Sequence, residues 1–157
     1  MAFVHLMCGF IGTGKTTIAR KLSVQTGAVL LSHDDVMRRF FGRTPDDFHN
    51  QYKIADDFIW RMAEQIDGAG VSVILDHGFW TRQARRDAFE RARIFCENVR
   101  FHCVECDLQA ARKRVLKRTA EDADSLMIDE HCFDDRLKLY EPLSEDEKYD
   151  TVYYKNV

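Results

Sequence analysis

The apolar residues of this chain fall into short runs that alternate with segments of helical spacing. Each run is rich in Val, Leu, Ile, Phe or Tyr and is bounded by glycine or polar residues, a pattern typical of strands buried on both faces of a sheet. The predicted strands are residues 3–8, 28–32, 71–75, 99–106 and 151–155. Strands that alternate with helices through short turns predict an α/β fold, in which helices cover both faces of a mostly parallel sheet.

Helices are predicted from apolar residues at helical spacing and from residues that favour helix ends. Gly27 is expected to end the first helix, and Thr81 and Asp107 are expected to cap the fourth and fifth. Thr44 followed by Pro45 predicts the start of the third helix, since proline is favoured at the first helical position. The predicted helices are residues 16–26, 34–41, 45–67, 82–96, 108–118 and 129–140.

Length and composition indicate an ordinary globular chain. The 157 residues, of which 45% are hydrophobic and 31% charged, are expected to form one domain, residues 1–157, with a core of its own. The net charge of −3 shows no basic excess that would indicate a nucleic-acid partner. No apolar run approaches the roughly 20 residues that span a bilayer, so no membrane association is expected. The odd number of cysteines and the lack of a signal peptide favour reduced thiols in the cytoplasm. The sequence does not indicate an oligomeric state.

A phosphate-binding motif follows the first predicted strand. The segment GFIGTGKT, residues 9–16, fits the pattern G-x-x-x-x-G-K-[ST] and lies between a strand and a helix, as the motif requires. Its glycines let backbone N–H groups turn toward an anion, Lys15 reaches the β and γ phosphates, and the Thr16 hydroxyl binds Mg²⁺. The predicted nucleotide-binding residues are Gly9, Ile11, Gly12, Thr13, Gly14, Lys15, Thr16 and Thr17. ATP is the expected nucleotide, because the chain lacks the N-K-x-D segment that recognises guanine. Mg²⁺ is the expected metal ion, since the motif includes the Thr16 hydroxyl as its ligand.

Together with three further segments, this motif gives the chain a family resemblance. In GFIGTGKTTIARKL, LLSHDDVMRRF, VILDHGFWTRQARRDAF and RVLKR it resembles small bacterial P-loop kinases. These are stand-alone ATP-binding proteins of the AAA type, related to polynucleotide kinase, zeta toxin and chloramphenicol phosphotransferase. The resemblance implies a P-loop NTPase fold with a five-stranded parallel sheet of order 2-3-1-4-5 and an arginine-bearing lid at about residues 114–128. It also implies transfer of the γ-phosphoryl group of ATP to a hydroxyl.

Two aspartates follow the second predicted strand, at the sheet edge where α/β proteins bind ligands. A carboxylate there could accept the proton of an acceptor hydroxyl. The resemblance favours Asp34 for this role, whereas Asp35 also fits a capping box with Ser32 and is kept as a substrate candidate. Arg38, one turn after Asp34, either holds the acceptor or pairs with Asp34 on the helix.

The third predicted strand ends in a further carboxylate. Asp76 is expected to hold the water shell of Mg²⁺, or alternatively to form a turn. His77 and Trp80 follow on the next loop, where they either shape the acceptor pocket or pack against the core. The resemblance places Arg85 near the acceptor or the phosphate, and a solvated helix face is the alternative for this residue.

Basic residues are concentrated before the expected lid. Residues 82–118 contain 11 Lys and Arg against 5 Asp and Glu, whereas residues 121–150 contain 3 against 12. Arg114 and Arg118, four positions apart on one helix, could present two guanidinium groups to the transferred phosphoryl, and both match lid arginines of the resembling kinases. Lys15, Asp34, Arg114 and Arg118 are therefore the predicted catalytic residues, and Thr16 and Asp76 the predicted metal ligands.

These patterns predict an ATP-dependent phosphotransferase that acts on a hydroxyl of a small molecule. Two alternatives remain open: a 5′-hydroxyl polynucleotide kinase, and a nucleotide-dependent switch or toxin-like regulator with slow ATPase activity. A hexameric AAA+ motor is disfavoured, because 157 residues leave no room for its additional helical subdomain. Nothing in the sequence names the acceptor.

Overall fold

A computed structural model describes residues 1–156 of the protein. Its centre is a sheet of five parallel strands in the order β2-β3-β1-β4-β5. The strands are β1 Val4–Cys8, β2 Val29–Ser32, β3 Val73–Gly78, β4 Val99–Cys106 and β5 Thr151–Asn156. The strand number, direction and order confirm the fold expected from the sequence.

Six helices connect the strands and cover the sheet: α1 Lys15–Thr26, α2 His33–Phe41, α3 Phe48–Gly68, α4 Arg82–Arg93, α5 Leu108–Glu121 and α6 Glu130–Leu137. Three predicted helix ends are confirmed. The Thr81 side chain accepts a 3.0 Å hydrogen bond from the Ala84 N–H, and the Asp107 side chain accepts one of 3.1 Å from the Ala110 N–H. Gly27 follows α1 in the left-handed conformation, with φ of 73°, which glycine adopts without steric cost.

The predicted start of the third helix is wrong. Helix α3 begins at Phe48, with Asp47 as its N-cap, and not at Pro45. The preceding segment is held instead by the lid: the Arg43 carbonyl accepts a 3.2 Å hydrogen bond from the Met127 N–H, and the Arg43 guanidinium donates to the Thr119 carbonyl. These tertiary contacts outweigh the local preference of proline for the first turn of a helix.

Alternate strand residues bury opposite faces of the sheet. Leu6, Leu75 and Phe101 pack with α3 and α4 on one face, whereas Met7 and Ile74 pack with α1 on the other. All five side chains are fully buried. This two-sided burial explains why the central strands β1, β3 and β4 are continuous apolar runs in the sequence.

A third apolar cluster joins the phosphate-binding loop to the lid. Phe10 in the loop packs with Val115 of α5 and Phe133 of α6. The Phe10 ring centroid lies 5.2 Å from the ring centroids of Phe133, Trp80 and Tyr140. The phosphate-binding loop and helices α5 and α6 are therefore packed against each other directly.

The structure also bears on membrane spans and cysteine pairing. No helix among residues 1–156 is both long and apolar enough to cross a lipid bilayer. All five cysteines are free thiols, and Cys103 is buried next to Cys8 in the register of β4 and β1.

Candidate phosphoryl-transfer site

The loop between β1 and α1 has a backbone that only glycine accommodates at several positions. Gly12 has a φ of 78° and Gly14 a φ of 97°, values that other residues rarely adopt. A Cβ atom added to Gly12 would lie 2.5 Å from the Ala111 carbonyl oxygen, and one added to Gly14 would overlap the Asn156 side chain. The motif glycines are thus required both by the turn and by the close approach of α5 and β5.

Lys15 extends over this loop from the first turn of α1. Its Nζ donates a 2.8 Å hydrogen bond to the Phe10 carbonyl oxygen. Burial lowers the pKa of Lys15, and the nearby carboxylates of Asp76 and Asp34 act in the opposite direction. A cation with this much lost hydration gains from an anionic ligand in the loop.

Thr16 and Asp76 come together across 60 positions of sequence. The Thr16 hydroxyl donates a 2.6 Å hydrogen bond to Oδ2 of Asp76, and Asp76 is only 6% exposed. Both side chains offer oxygen atoms, the ligands that Mg²⁺ prefers. The pair therefore fits the metal role predicted for it, at the point where the loop meets the end of β3.

Two adjoining cavities lie above the sheet edge. The smaller, of about 240 Å³, is bounded by the phosphate-binding loop and the lid. The larger, of about 760 Å³, lies between α2, α3 and the loop after β3. Five residues line both cavities: Asp34, His77, Trp80, Leu126 and Arg136. A group in one cavity is therefore next to a group in the other.

The two aspartates of α2 have different surroundings. Asp34 is exposed and lines both cavities. The Asp35 N–H donates to the Ser32 side chain, and its carboxylate pairs with Arg38 at 2.5 Å and Arg39 at 2.9 Å. Asp35 and Arg38 line neither cavity, so the structure does not bring these two substrate candidates into the site. Arg38 pairs with Asp35 and not with Asp34, so the helical pairing predicted for it is wrong, and its role toward the acceptor stays a prediction.

The predicted lid arginines face the smaller cavity. Arg114 and Arg118 both line it, and Nη1 of Arg114 donates a 3.3 Å hydrogen bond to the Gly12 carbonyl oxygen. Arg112, on the same helix, pairs with Asp134 of α6. Arg114 and Arg118, four positions apart, therefore share the helix face toward the smaller cavity. Arg112 lies on another face and joins α5 to α6.

Arg85 lies outside both cavities. It is fully buried, and its guanidinium donates to both carboxylate oxygens of Glu147, at 2.8 and 2.9 Å. It also donates to the carbonyl oxygens of Phe79 and Glu141. Burial acts to raise the pKa of Glu147, but the hydrogen bonds from Arg85 and Ser144 lower it to about 2. Both sequence interpretations of Arg85, acceptor contact and a solvated face, differ from this buried structural role.

His77 and Trp80 line both cavities, and Trp80 also packs against Phe10. Sequence reasoning missed Arg136, which lines both cavities as well and lies with its guanidinium 4.9 Å from the Phe48 ring centroid. Arg136 lies in an acidic stretch with no motif, so no local signal indicated it. The same holds for the aromatic wall of the larger cavity, which includes Phe48 and Tyr52 of α3.

Comparison with known proteins agrees with this fold. A family model described as an AAA domain matches residues 4–143, whereas no curated protein matches the chain. A proposed kinase from Chloroflexus aurantiacus is 17% identical, with a TM-score of 0.81 over 98% of this chain and 88% of that chain. Kti12 from Chaetomium thermophilum, solved with ADP-AlF3, is 17% identical, with a TM-score of 0.74 over 98% of this chain and 88% of that chain. A sugar kinase from Janibacter sp. is 21% identical, with a TM-score of 0.65 over 99% of this chain and 85% of that chain. At these identities the similarity concerns the fold.

Proposed function

The chain belongs to the AAA domain family of P-loop proteins, and we propose that it transfers the γ-phosphoryl group of ATP to a hydroxyl of a small molecule. The observation that carries this proposal is the position of Asp34 where the two cavities meet. The smaller cavity has the motif residues and arginines that suit a triphosphate. The larger has room for a small acceptor next to it.

Catalysis would rest on positioning and charge neutralisation, as in other phosphoryl transfers. Lys15, Arg114 and Arg118 line the smaller cavity and would stabilise the charge that spreads over the transferred group. Thr16 and Asp76 would hold the Mg²⁺ ion that accompanies ATP, which neutralises further phosphate charge.

Asp34 would orient the acceptor and take its proton. The acceptor oxygen forms the new bond to the γ-phosphorus, the bond from that phosphorus to the bridging oxygen of ADP breaks, and the hydroxyl proton passes to the Asp34 carboxylate. Asp35 is unsuited to this role because Arg38 and Arg39 already pair with its carboxylate.

The lining of the larger cavity bears on the acceptor. Its walls include the aromatic side chains of Phe48, Tyr52, Phe79 and Trp80 together with Met37. Apolar and aromatic walls with a few polar groups are typical of sites for small organic molecules. An acceptor with an apolar face beside its hydroxyl fits these walls better than one that is polar on all sides.

The proposal is tested by ADP release from Mg-ATP, measured for the wild type and Asp34→Asn. Pools of hydroxyl-bearing metabolites, phenicol and aminoglycoside antibiotics, and 5′-hydroxyl oligonucleotides are added in turn. We expect one small-molecule pool to stimulate release, and Asp34→Asn to reduce the stimulated rate by about 10²- to 10⁴-fold while ATP binding is kept.

Asp35→Asn is the matched control, since Asp35 lies on the same helix but outside the cavities. It should change the rate little, because partly exposed ion pairs contribute under about 1 kcal/mol. Stimulation by oligonucleotides alone would replace the proposal by a polynucleotide kinase. Slow ATP hydrolysis whose rate is changed neither by any acceptor nor by Asp34→Asn would replace the proposal by a nucleotide-dependent switch.

A further inference from the structure

Two histidines and an aspartate that the transfer mechanism does not use converge on the wall of the larger cavity. Ser32 of β2 pairs in register with Asp76 of β3, so the next residues, His33 and His77, emerge side by side at the sheet edge. Their ring centroids are 5.0 Å apart. Asp56 of α3 completes the group, with Oδ1 at 3.0 Å from Nε2 of His77. One ligand atom from each of the three residues lies within 4.8 Å of the other two.

The histidines are buried and their rings are held in place. His33 and the His77 side chain are each 2% exposed, and Asp56 is 27% exposed. The His77 ring stacks on Phe79 at an interplanar angle of 4° and meets His33 on another side. Neither imidazole can therefore turn out to water without breaking ring contacts.

One polar atom of this group has no partner in the protein. Nδ1 of His77 is buried and makes no hydrogen bond within residues 1–156. A buried polar atom without a partner is costly, and in a native protein it often marks a place where an ion or water belongs. A structural hydrogen bond between His77 and Asp56 explains Nε2 alone. It does not account for Nδ1, and the second imidazole, that of His33, has Nε2 at 3.3 Å from the Tyr52 carbonyl oxygen.

We propose that His33, Asp56 and His77 bind a divalent transition-metal ion of the Zn²⁺ class at the wall of the larger cavity. Imidazole nitrogens combined with one carboxylate oxygen favour Zn²⁺ and its neighbours over Mg²⁺, which prefers oxygen ligands. The donor set thus differs from the two oxygen-bearing side chains of Thr16 and Asp76. Arg91 lies 3.5 Å from Oδ2 of Asp56, which leaves Oδ1 directed toward the histidines.

Three protein ligands leave a coordination position open toward the cavity. In tetrahedral zinc sites such a position holds water or an oxygen of a bound molecule. Metal bonds of about 2.0–2.2 Å require the three ligand atoms to lie closer together than 4.8 Å, so small side-chain rotations accompany binding. This proposal does not depend on phosphoryl transfer, because the ion binds without nucleotide.

The experiment measures Zn²⁺ binding to the metal-stripped 157-residue chain by calorimetry, in excess Mg²⁺ and without nucleotide. We expect one Zn²⁺ per chain, with affinity reduced at least tenfold in His33→Gln, in His77→Gln and in Asp56→Asn. Asp76→Asn should bind Zn²⁺ as the wild type does, which separates this site from the oxygen site beside it.

His131→Gln is the matched control. Nε2 of His131 lies 3.1 Å from Asp135, which makes a histidine and aspartate pair without a third ligand, and its side chain is 87% exposed. It should bind Zn²⁺ like the wild type. Wild-type affinity in both His33→Gln and His77→Gln, or loss of binding in Asp76→Asn alone, would overturn the proposal.

A spectroscopic measurement covers the case in which the histidine variants fail to fold. X-ray absorption of the wild-type Zn²⁺ complex distinguishes imidazole ligands from oxygen ligands directly. Two imidazoles in the first coordination sphere are expected. A sphere made only of oxygen atoms, or no bound Zn²⁺ at all, would rule out the site.

Discussion

Arg85 and Glu147 form a buried, bidentate ion pair that joins α4 to the segment before β5. The nitrogen to oxygen distances are 2.8 and 2.9 Å, and neither side chain is more than 3% exposed. Because the same guanidinium holds the Phe79 carbonyl, the pair also supports the loop that carries Trp80 into both cavities. Arg85 thus affects the site indirectly, by holding the loop that carries Trp80.

Breaking this pair should destabilise the protein strongly. Glu147→Gln leaves the Arg85 cation buried without a counter-ion, and Arg85→Met leaves the carboxylate in the same state. We expect each to lower the free energy of unfolding by about 3–5 kcal/mol, measured by urea denaturation. Arg82→Ala removes the neighbouring ion pair with Asp146, which is exposed, and should shift the midpoint little. Equal decreases in the free energy of unfolding for Arg82→Ala and Arg85→Met would show that burial does not strengthen the contribution of the Arg85–Glu147 pair.

Asp76→Asn should weaken the use of Mg²⁺ more than the binding of ATP. The amide keeps the size of the side chain but removes the negative charge next to the Thr16 hydroxyl. We expect the Mg²⁺ concentration for half-maximal ADP release to rise by about tenfold to 100-fold. A Mg²⁺ titration at saturating ATP measures this. An unchanged Mg²⁺ requirement would show that Asp76 has only a turn-forming role.

Arg136→Ala should impair transfer although no sequence motif marks this residue. The guanidinium borders both cavities, so it is able to neutralise charge on the γ-phosphoryl as the acceptor approaches. Removing one such charged donor is expected to lower kcat by about 10²- to 10³-fold, in steady-state kinetics with an acceptor from the pool that stimulates ADP release. Arg112→Ala, in the neighbouring helix α5 and paired with Asp134 of α6, is the control and should have a much smaller effect. Similar losses in both variants would point to lid folding as the cause.

Stability should fall as the pH drops from about 6.5 toward 4. Burial, the largest cause, lowers the pKa values of His5 and His102 from 6.5 to about 4. Nδ1 of His5 lies 2.9 Å from Nε2 of His102, and Nδ1 of His102 is hydrogen-bonded to the Tyr154 hydroxyl. Both histidines are neutral in the folded protein at pH values where the unfolded chain already takes up protons. Their contribution is therefore complete above pH 6.5 and is lost as the pH falls through this interval.

Urea unfolding at a series of pH values between 7.5 and 4 measures this dependence. Replacing both His5 and His102 by Gln should make the profile shallower across the interval, with a remaining slope from His33, whose pKa burial also lowers to about 4. His131→Gln, at an exposed histidine, should leave the slope unchanged. A wild-type profile that is flat between pH 6.5 and 4 would contradict the assignment.

Several features of this protein follow from local sequence. The phosphate-binding loop is predictable because its glycines, Lys15 and Thr16 act through backbone conformation and adjacent positions. The caps at Thr81 and Asp107 are equally local, each bonding an N–H three residues away. The buried runs of β1, β3 and β4 are recognisable for the same reason, since burial on both faces leaves no polar alternation. With the family resemblance, these patterns predicted the strand order as well.

Other features depend on segments that meet only in the folded chain. Asp34 and Asp35 are neighbours in sequence, yet only the packing of α2 at the sheet edge places Asp34 at both cavities and Asp35 at neither. Arg85 finds Glu147 at a distance of 62 positions, and α3 begins at Phe48 because the lid holds Arg43. A side chain's role in such places is set by the neighbours that tertiary packing supplies, and short-range patterns carry no information about those neighbours.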